Sequence, residues 1–598
     1  MKRITLFILA ALLIASTAPI FAGGSQGEIV EEATVDQFEG VVDIEYTGYE
    51  VGRKGGRFVR STFGSDPKTF NVVVADETSS TDVVNRMYAA LVRRNQMTLE
   101  WEPWAAESWT ISEDQKTVTF KLRSGMKWSD GHPVTAEDFV FSKDVAFTEG
   151  VQGSTADSYY VGDEVAELSA IGDTIVKLVL PEVYAGAFNM SSFYPLPKHI
   201  LEPILDSGVE NFNAYWGVDS DVTTVVGNGP FLISEYVPSQ KVVMVPNPTY
   251  FEMDSAGVRL PYIDEFVILY VEDQDTQLEK FLAGELDFYG LRGEDYAVLV
   301  GEKQALDFEL YNVGPNTSTN FITFNQNPIE GADDAGIEGP KLEWLSNKKF
   351  RQAITLLIDR ETIINNIAYG FGYPQYSFIP RFSPYYWDGV DDFSLKYNPE
   401  KAKQLLDEID YKDRDGDGFR EDPKGNKIQL VLNTNSGNST REAIGEMISQ
   451  EARAIGIDIT FKPEDFNSMV TKLVSTYDWE LIIIGLTGSI DPVSGANVYP
   501  SRGNLHMIEP NQESPRRDWE KRVDAAWDEA NLTLDEAQRK SGFEKIQRDW
   551  ADNLPWAYTI NLATMHAYNN KWANIFPQPT NGYDWAGILH RVYVKFLY

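Results

Sequence analysis

Between Ile428 and Leu486 the spacing of apolar residues changes period three times, and no other stretch constrains the fold as much. Ile428, Leu430 and Leu432 recur every second residue, the spacing of a strand with one buried face. Ile444, Met447, Ile448 and Ile455 recur at helical spacing, and Gly456 marks the end of that helix. Ile457, Ile459 and Phe461 alternate again. Leu481 to Ile484 is an unbroken apolar run, the pattern of a strand covered on both faces. Strand, helix and strand in that order argue for an α/β sheet with a right-handed crossover. Ligands of such sheets sit outside the C-terminal strand ends. Those ends are Asn433-Thr434-Asn435-Ser436 and Gly485-Leu486-Thr487-Gly488-Ser489, mostly small or polar, which suits close backbone approach to a ligand.

The chain has 598 residues, enough for roughly three to five domains or subdomains. Its formal net charge of -38 excludes nucleic acid as a partner, because a polyanion would repel it. An aromatic share of 13% is too large for a disordered acidic protein. The cysteine count is 0, so disulfides, thiolate metal sites, cysteine nucleophiles and a lipid-modified N-terminal cysteine are all excluded. Lys2 and Arg3 precede an apolar run, Ile4 to Ala15, and small residues follow up to Ala22-Gly23. This is the pattern of a cleaved secretory signal peptide over residues 1–22. Residues 23–54 read as a flexible acidic lead-in. The expected location is periplasmic and free of a lipid anchor.

Further on, Trp109 to Leu122 reads as a hairpin with a polar turn at Ser112 to Lys116. Thr135, with Asp138 three positions on, fits a helix cap. Gly227-Asn228-Gly229-Pro230 feeds a strand at Phe231, and a second strand follows at Val242 to Val245. Leu278, Phe281 and Leu282 predict a helix closed by Gly284, with a strand at Glu285 to Tyr289. Phe350, Ala353, Ile354, Leu357 and Ile358 form one apolar stripe, and Asp359 caps the next helix.

Catalytic motifs are missing. There is no HExxH and no GxxxxGK[ST]. The histidines, His132, His199, His506, His566 and His590, lie far apart and show no ligand spacing. Gly23-Gly24-Ser25-Gln26-Gly27 matches GxSxG by letter but lacks the flanking strand and helix, and Ser65-Asp66-Pro67-Lys68 matches SxxK without its companion motifs. Asp413, Asp415 and Asp417 with Gly418 make a D-x-D-x-D-G loop, whose alternate carboxylates can converge on Ca²⁺. Its twelfth position is Lys424, which excludes a complete EF-hand and leaves either a polar hairpin turn or a structural Ca²⁺ site. Carboxylates and aromatics are as abundant as in secreted glycosidases, but nothing places two carboxylates across one bond.

The segment Leu122-Arg123-Ser124-Gly125-Met126-Lys127-Trp128-Ser129-Asp130-Gly131-His132-Pro133-Val134-Thr135-Ala136-Glu137-Asp138 resembles the best-known motif of the family 5 extracellular solute-binding proteins. That family is the oligopeptide, dipeptide and nickel group serving ABC importers. Gly229-Pro230-Phe231, Asn247-Pro248-Thr249-Tyr250-Phe251, Gly284-Glu285-Leu286-Asp287 and Arg351-Gln352-Ala353-Ile354 are similar to further blocks of the family, in the same order. The resemblance implies a two-lobed, class II-like clamshell, an α/β periplasmic binding fold with an extra subdomain. Lobe one is expected at 55–85, 195–305 and 554–598, the extra subdomain at 86–194, and lobe two at 306–553. It implies hinge closure around a solute and delivery, as a monomer, to permease subunits, with no cofactor of its own. Trp128, Asp130 and Gly131 are expected to hold a turn. By family position Glu77, Thr78, Ser79, Phe466, Asn467 and Gly485 to Ser489 approach the cleft. Peptide-binding members carry an aspartate for the peptide ammonium where this chain has Ser489, so Asp491 or Glu77 is left to supply that charge, and an oligosaccharide gains weight as the solute. A secreted hydrolase and a periplasmic receptor stand as the readings outside transport.

Overall fold

In the computed structural model, residues 48–595 are described apart from 96, 154, 329–336, 338, 511, 513 and 578–588. The expected signal peptide and most of the acidic lead-in lie outside the described residues. Among the described residues no helix is long and apolar enough to cross a membrane.

The strand–helix–strand unit forms around 428–464. Strand Gln429–Asn435 pairs in parallel with Asp458–Glu464, Gln429 opposite Asp458. Helix Ser439–Ala454 connects them. It begins where the Asn438 side chain accepts the Arg441 N–H at 3.0 Å. It ends before Gly456, whose φ of 85° a residue with a Cβ would resist. Strand Leu481–Leu486 joins in parallel on the other side, and Thr319–Phe324 and Trp556–Tyr558 extend the sheet antiparallel.

The apolar run at Leu481 now has a cause. Leu481 and Ile483 pack into one core with Ile322, Phe324, Leu432 and Ile448. Ile482 and Ile484 pack into a second core with Phe321, Trp527, Trp550 and Trp556. Successive side chains point to opposite faces, so a sheet covered on both faces needs apolar residues at every position. Each such side chain, fully buried, contributes about 1.5–3 kcal/mol.

A second lobe holds a four-stranded sheet in the order Arg57–Phe63, Glu265–Val271, Lys241–Pro246 and Phe231–Val237, with the first pair parallel. Next to it, Ala106–Ile111, Thr117–Leu122, Ile175–Val179 and Glu167–Ile171 form an antiparallel sheet that shares the same apolar core. Trp128 is fully buried there, and its indole N–H lies 3.3 Å from Asp138, which also accepts the Thr135 N–H at 2.7 Å. Trp128 and Gly131 close their turn through backbone bonds of 2.8 and 2.9 Å, Gly131 with a φ of 95°.

Two extended segments run between the lobes. Phe308–Pro315 pairs with Ile560–Asn569 in a sheet that also contains Phe288–Gly290, and then continues as Thr319–Phe324 of the α/β sheet. The return path runs from Trp556–Tyr558 into Ile560–Asn569. The crossings therefore fall at Asn316–Ser318 and at Thr559, past the boundaries expected at 306 and 554, because strand pairing rather than motif position decides where a lobe ends. The crossings are tied together. Asn561 Nδ2 donates to Asn316 Oδ1 at 2.9 Å and to the Ser318 carbonyl at 2.7 Å, and the Thr559 N–H donates to the Asn320 carbonyl at 2.9 Å. Buried Arg360 donates to the carbonyls of Gln375 and Tyr558 beside them.

Candidate functional site

A cavity of about 290 Å³ lies where the two lobes and the crossing segments meet. One lobe lines it with Arg60, Ser61, Thr78, Ser79 and Asp82. The α/β lobe adds Asn435, Asn438, Arg441, Phe466, Gly485, Leu486 and Thr487, and the crossing segments add Asn316, Ser318, Asn320, Thr559 and His566. The strand ends named from the α/β pattern thus contribute Asn435 and Gly485 to Thr487, as a crossover sheet demands.

Thr78 and Ser79 reach the wall because helix Thr78–Val84 starts there. Phe466 opens helix Phe466–Thr471, capped by Asp465, which accepts the Ser468 N–H at 2.9 Å. Gly485 has no room for a side chain: a Cβ would stand 2.4 Å from the Thr319 carbonyl oxygen and 2.5 Å from Arg441 Nη2.

Five of the expected site residues stand outside the lining. Glu77 is buried, and its carboxylate accepts the Ser80 hydroxyl and the Lys68 N–H, so it stabilises its own turn. Asp491 accepts Arg539 Nη2 at 2.8 Å and the Val493 N–H at 3.2 Å, so its charge is already engaged. Gly488 lies against the crossing, where a Cβ would come within 2.0 Å of the Thr317 carbonyl oxygen, and half-buried Ser489 stands outside the lining. Asn467 joins the lobes instead: its Nδ2 donates to the Asp66 carbonyl at 3.0 Å, and its own carbonyl accepts Lys68 Nζ at 3.2 Å. Ser65 and Asp465 add a contact on the same side. On the opposite side Arg292 Nη1 donates to Ser439 Oγ at 3.0 Å, and Ser439 Oγ donates to Glu294 at 3.1 Å.

Sequence reasoning found polar strand ends but not the charged groups of the wall. Among the described lining residues there are three guanidinium groups, Arg60, Arg292 and Arg441, and one carboxylate, Asp82. Asp82 pairs with Arg60 and, at 3.0 Å, with Arg86. Arg292 pairs with Asp295, Asp275 and Glu294 at 2.7–2.8 Å. Arg441 donates to the side-chain carbonyls of Asn435 at 2.8 Å and Asn320 at 3.2 Å. His566 is buried beside Phe288 and Tyr568, and that burial pushes its pKa down to about 3, so the imidazole facing the cavity is neutral. No local signal marked His566, because the strand that carries it is positioned by residues 308–315.

Two clusters lie away from the cavity lining. Asp413, Asp415 and Asp417 converge with Glu421 in the α/β lobe. Asp130, His132 and His199 also converge: the rings stack at 4.1 Å, and His199 Nε2 lies 2.7 Å from Asp130. His132 and His199, far apart in sequence, are thus exposed neighbours in the fold.

Comparison with known proteins agrees with this geometry. The profile of the bacterial extracellular solute-binding proteins, family 5 (middle), matches residues 100–505. A probable ABC transporter-binding protein of Deinococcus radiodurans is 32% identical over 537 residues, covering 85% of this chain and 88% of that one. The fold is similar to that of the oligopeptide-binding protein AppA from Bacillus subtilis in complex with a nonapeptide, with a TM-score of 0.76 and 23% identity over 91% of this chain and 100% of that one. It is also similar to that of the periplasmic binding protein MelB of Agrobacterium fabrum in complex with stachyose, with a TM-score of 0.79 and 23% identity over 91% of this chain and 86% of that one. The two-lobed architecture, the cavity between the lobes and these matches lead to one conclusion: the chain belongs to the bacterial extracellular solute-binding proteins, family 5.

Proposed function

We propose that this chain captures a polar solute between its lobes, unaltered, and presents it to the permease of an ABC importer, with an oligopeptide or a similar solute as cargo. One observation carries this reading: the cavity is lined from both lobes and from both crossing segments, so a bound solute touches every part that closure must bring together. Asn316–Ser318 and Thr559 are the hinge in this reading, two short passages that can rotate without breaking either lobe's sheet. Thr78, Ser79, Phe466, Gly485, Leu486 and Thr487 contact the solute. The 1–22 leader exports the chain, which works as a monomer outside the cytoplasmic membrane. The relative named as an ABC transporter-binding protein and the nonapeptide complex of AppA support the reading.

A second reading, an oligosaccharide as the solute, is favoured by a specific feature of the wall. A desolvated peptide ammonium needs a carboxylate partner. The lining carboxylate Asp82 already serves Arg60 and Arg86, while Glu77 and Asp491 serve groups outside the cavity. Amides and hydroxyls at Asn316, Asn320, Asn435, Thr78 and Ser79 suit a neutral polyol, and the stachyose complex of MelB supports this arm.

Isothermal titration of solute-stripped protein with a peptide panel and an oligosaccharide panel separates the two, alongside mass spectrometry of co-purifying cargo. One-site binding of peptides supports the first reading, and one-site binding of glycans the second. Silence toward both panels, or chemical conversion of the cargo, rejects solute capture.

A further inference from the structure

The hairpin between helix Pro399–Glu408 and strand Gln429–Asn435 carries the D-x-D-x-D-G loop, and most of its carboxylate bonds are those of a tight turn. Asp413 accepts the N–H groups of Gly416 at 2.7 Å and Gly418 at 3.0 Å. Asp415 accepts Asp417 N–H at 3.0 Å, and Asp417 accepts Phe419 N–H at 2.8 Å and Lys427 Nζ at 2.7 Å. Loop formation accounts for these bonds, and by themselves they point to no ligand.

Glu421 is different. Its residue is 6% exposed. Its Oε2 accepts the Arg414 N–H at 2.7 Å, whereas its Oε1 is buried and has no hydrogen-bond partner. A buried charged acceptor left unsatisfied costs more than the ~1–3 kcal/mol of a neutral group. Such an oxygen in a native fold calls for an ion or a water. Asp413, Asp415, Asp417 and Glu421 each offer an oxygen, and these four atoms lie within 4.8 Å of one another. The geometry points to a Ca²⁺ site formed by Asp413, Asp415, Asp417 and Glu421, with Glu421 as the buried ligand.

A complete EF-hand carries its terminal ligand at the twelfth position, where this chain has Lys424. In the fold Lys424 turns away to Glu343 at 2.5 Å, and the ninth position supplies the carboxylate. Each carboxylate oxygen retains acceptor capacity beyond its N–H bond, so the turn and the ion are compatible. An all-carboxylate set of oxygen ligands favours Ca²⁺ over Mg²⁺, which demands near-octahedral geometry and keeps its waters. The absence of imidazole and thiolate disfavours zinc. The ion would brace the end of the α/β unit, because Arg420 of this loop donates to the Ile455 carbonyl at 2.7 Å and its backbone N–H to the Gly456 carbonyl at 2.7 Å.

The test uses the full chain, treated with EDTA and dialysed, titrated with CaCl₂ and with MgCl₂ by calorimetry, with thermal unfolding in parallel. The expected result is one Ca²⁺ per chain, a raised Tm reversed by EDTA, and a much weaker response to Mg²⁺. Asp415→Ala removes an exposed ligand from a surface turn, and Glu421→Gln removes the buried charge. Each is expected to weaken Ca²⁺ binding at least about tenfold. If Glu421→Gln does not fold, Asp415→Ala decides. No heat and no Tm shift with CaCl₂, an equal response to MgCl₂, or unchanged Ca²⁺ affinity in Asp415→Ala would each overturn the site. None of these outcomes depends on which solute occupies the cavity.

Discussion

Acid should destabilise this protein through His566 by an amount that can be worked out. The imidazole sits on strand Ile560–Asn569, 4% exposed, with its ring 5.1 Å from that of Phe288 and 5.8 Å from that of Tyr568. Burial there lowers its pKa from 6.5 to about 3. Between those values the unfolded chain takes up a proton that the folded chain refuses. The unfolded state therefore binds more protons, and stability rises with pH across the window from about 3 to 6.5. At pH 5 the unfolded imidazole is 1.5 pH units below its midpoint, which corresponds to a loss of about 2 kcal/mol relative to neutral pH. Urea unfolding of the wild type and of His566→Gln at pH 7.5 and pH 5 isolates this term. The other titrating groups, including buried His590, whose pKa burial also lowers, are common to both proteins. The wild type is expected to lose about 2 kcal/mol more than the variant on acidification. Equal losses, or a native His566 resonance titrating near pH 6.5, would refute the argument.

Four further outcomes follow from contacts already described. Arg539→Met strands the buried Asp491 carboxylate and should cost about 3–5 kcal/mol of stability by denaturant titration, with little change in solute affinity because neither group lines the cavity. Trp550→Ala opens the core shared with Trp519, Tyr499 and Trp556 and should cost about 3–5 kcal/mol, read as a lower urea midpoint. Gly485→Ala drives a methyl against the Thr319 carbonyl and the Arg441 guanidinium. Calorimetry should show solute affinity falling about tenfold or more, equivalent to ~1.4 kcal/mol. Asn561→Ala removes the amide that joins the two crossings and should cost about 1–3 kcal/mol; an unchanged unfolding midpoint would mean the crossings are held by other bonds.

The fold was legible where its causes are local. Alternation at Ile428 to Leu432, the helical stripe after Asn438 and the punctuation by Gly456 all act within a few residues, so a reader of the chain sees what the backbone responds to. Where the cause is distant, reading fails. Leu357 and Ile358 continue the apolar stripe of Phe350 and are fully buried, yet the helix stops at Thr355. Burial alone does not distinguish a helical position from a packed turn. The strand expected at Glu285 to Tyr289 begins only at Phe288, because Asp287 uses its carboxylate to accept the Val59 N–H at 2.9 Å and its own N–H to donate to the Val59 carbonyl at 2.7 Å.

The site depended still more on partners remote in sequence. Glycines and small hydroxylated residues at strand ends were readable because their reason, room for a ligand, is written in their own size. Charges were not, because a carboxylate is available to a solute only if nothing else in the fold claims it. Asp491 is claimed by Arg539 from a helix 48 residues on, and Asp82 is shared by Arg60 and Arg86. Once those claims are counted, the cavity wall presents guanidinium groups, amides, hydroxyls and a neutral imidazole, with its carboxylate already paired. An ammonium entering this cavity would have to share Asp82 with two guanidinium groups already paired to it, whereas a hydroxyl would meet amide and hydroxyl partners. Which charges are left for a cargo is thus set by competition among side chains up to several hundred residues apart, which the fold shows and the linear chain leaves open.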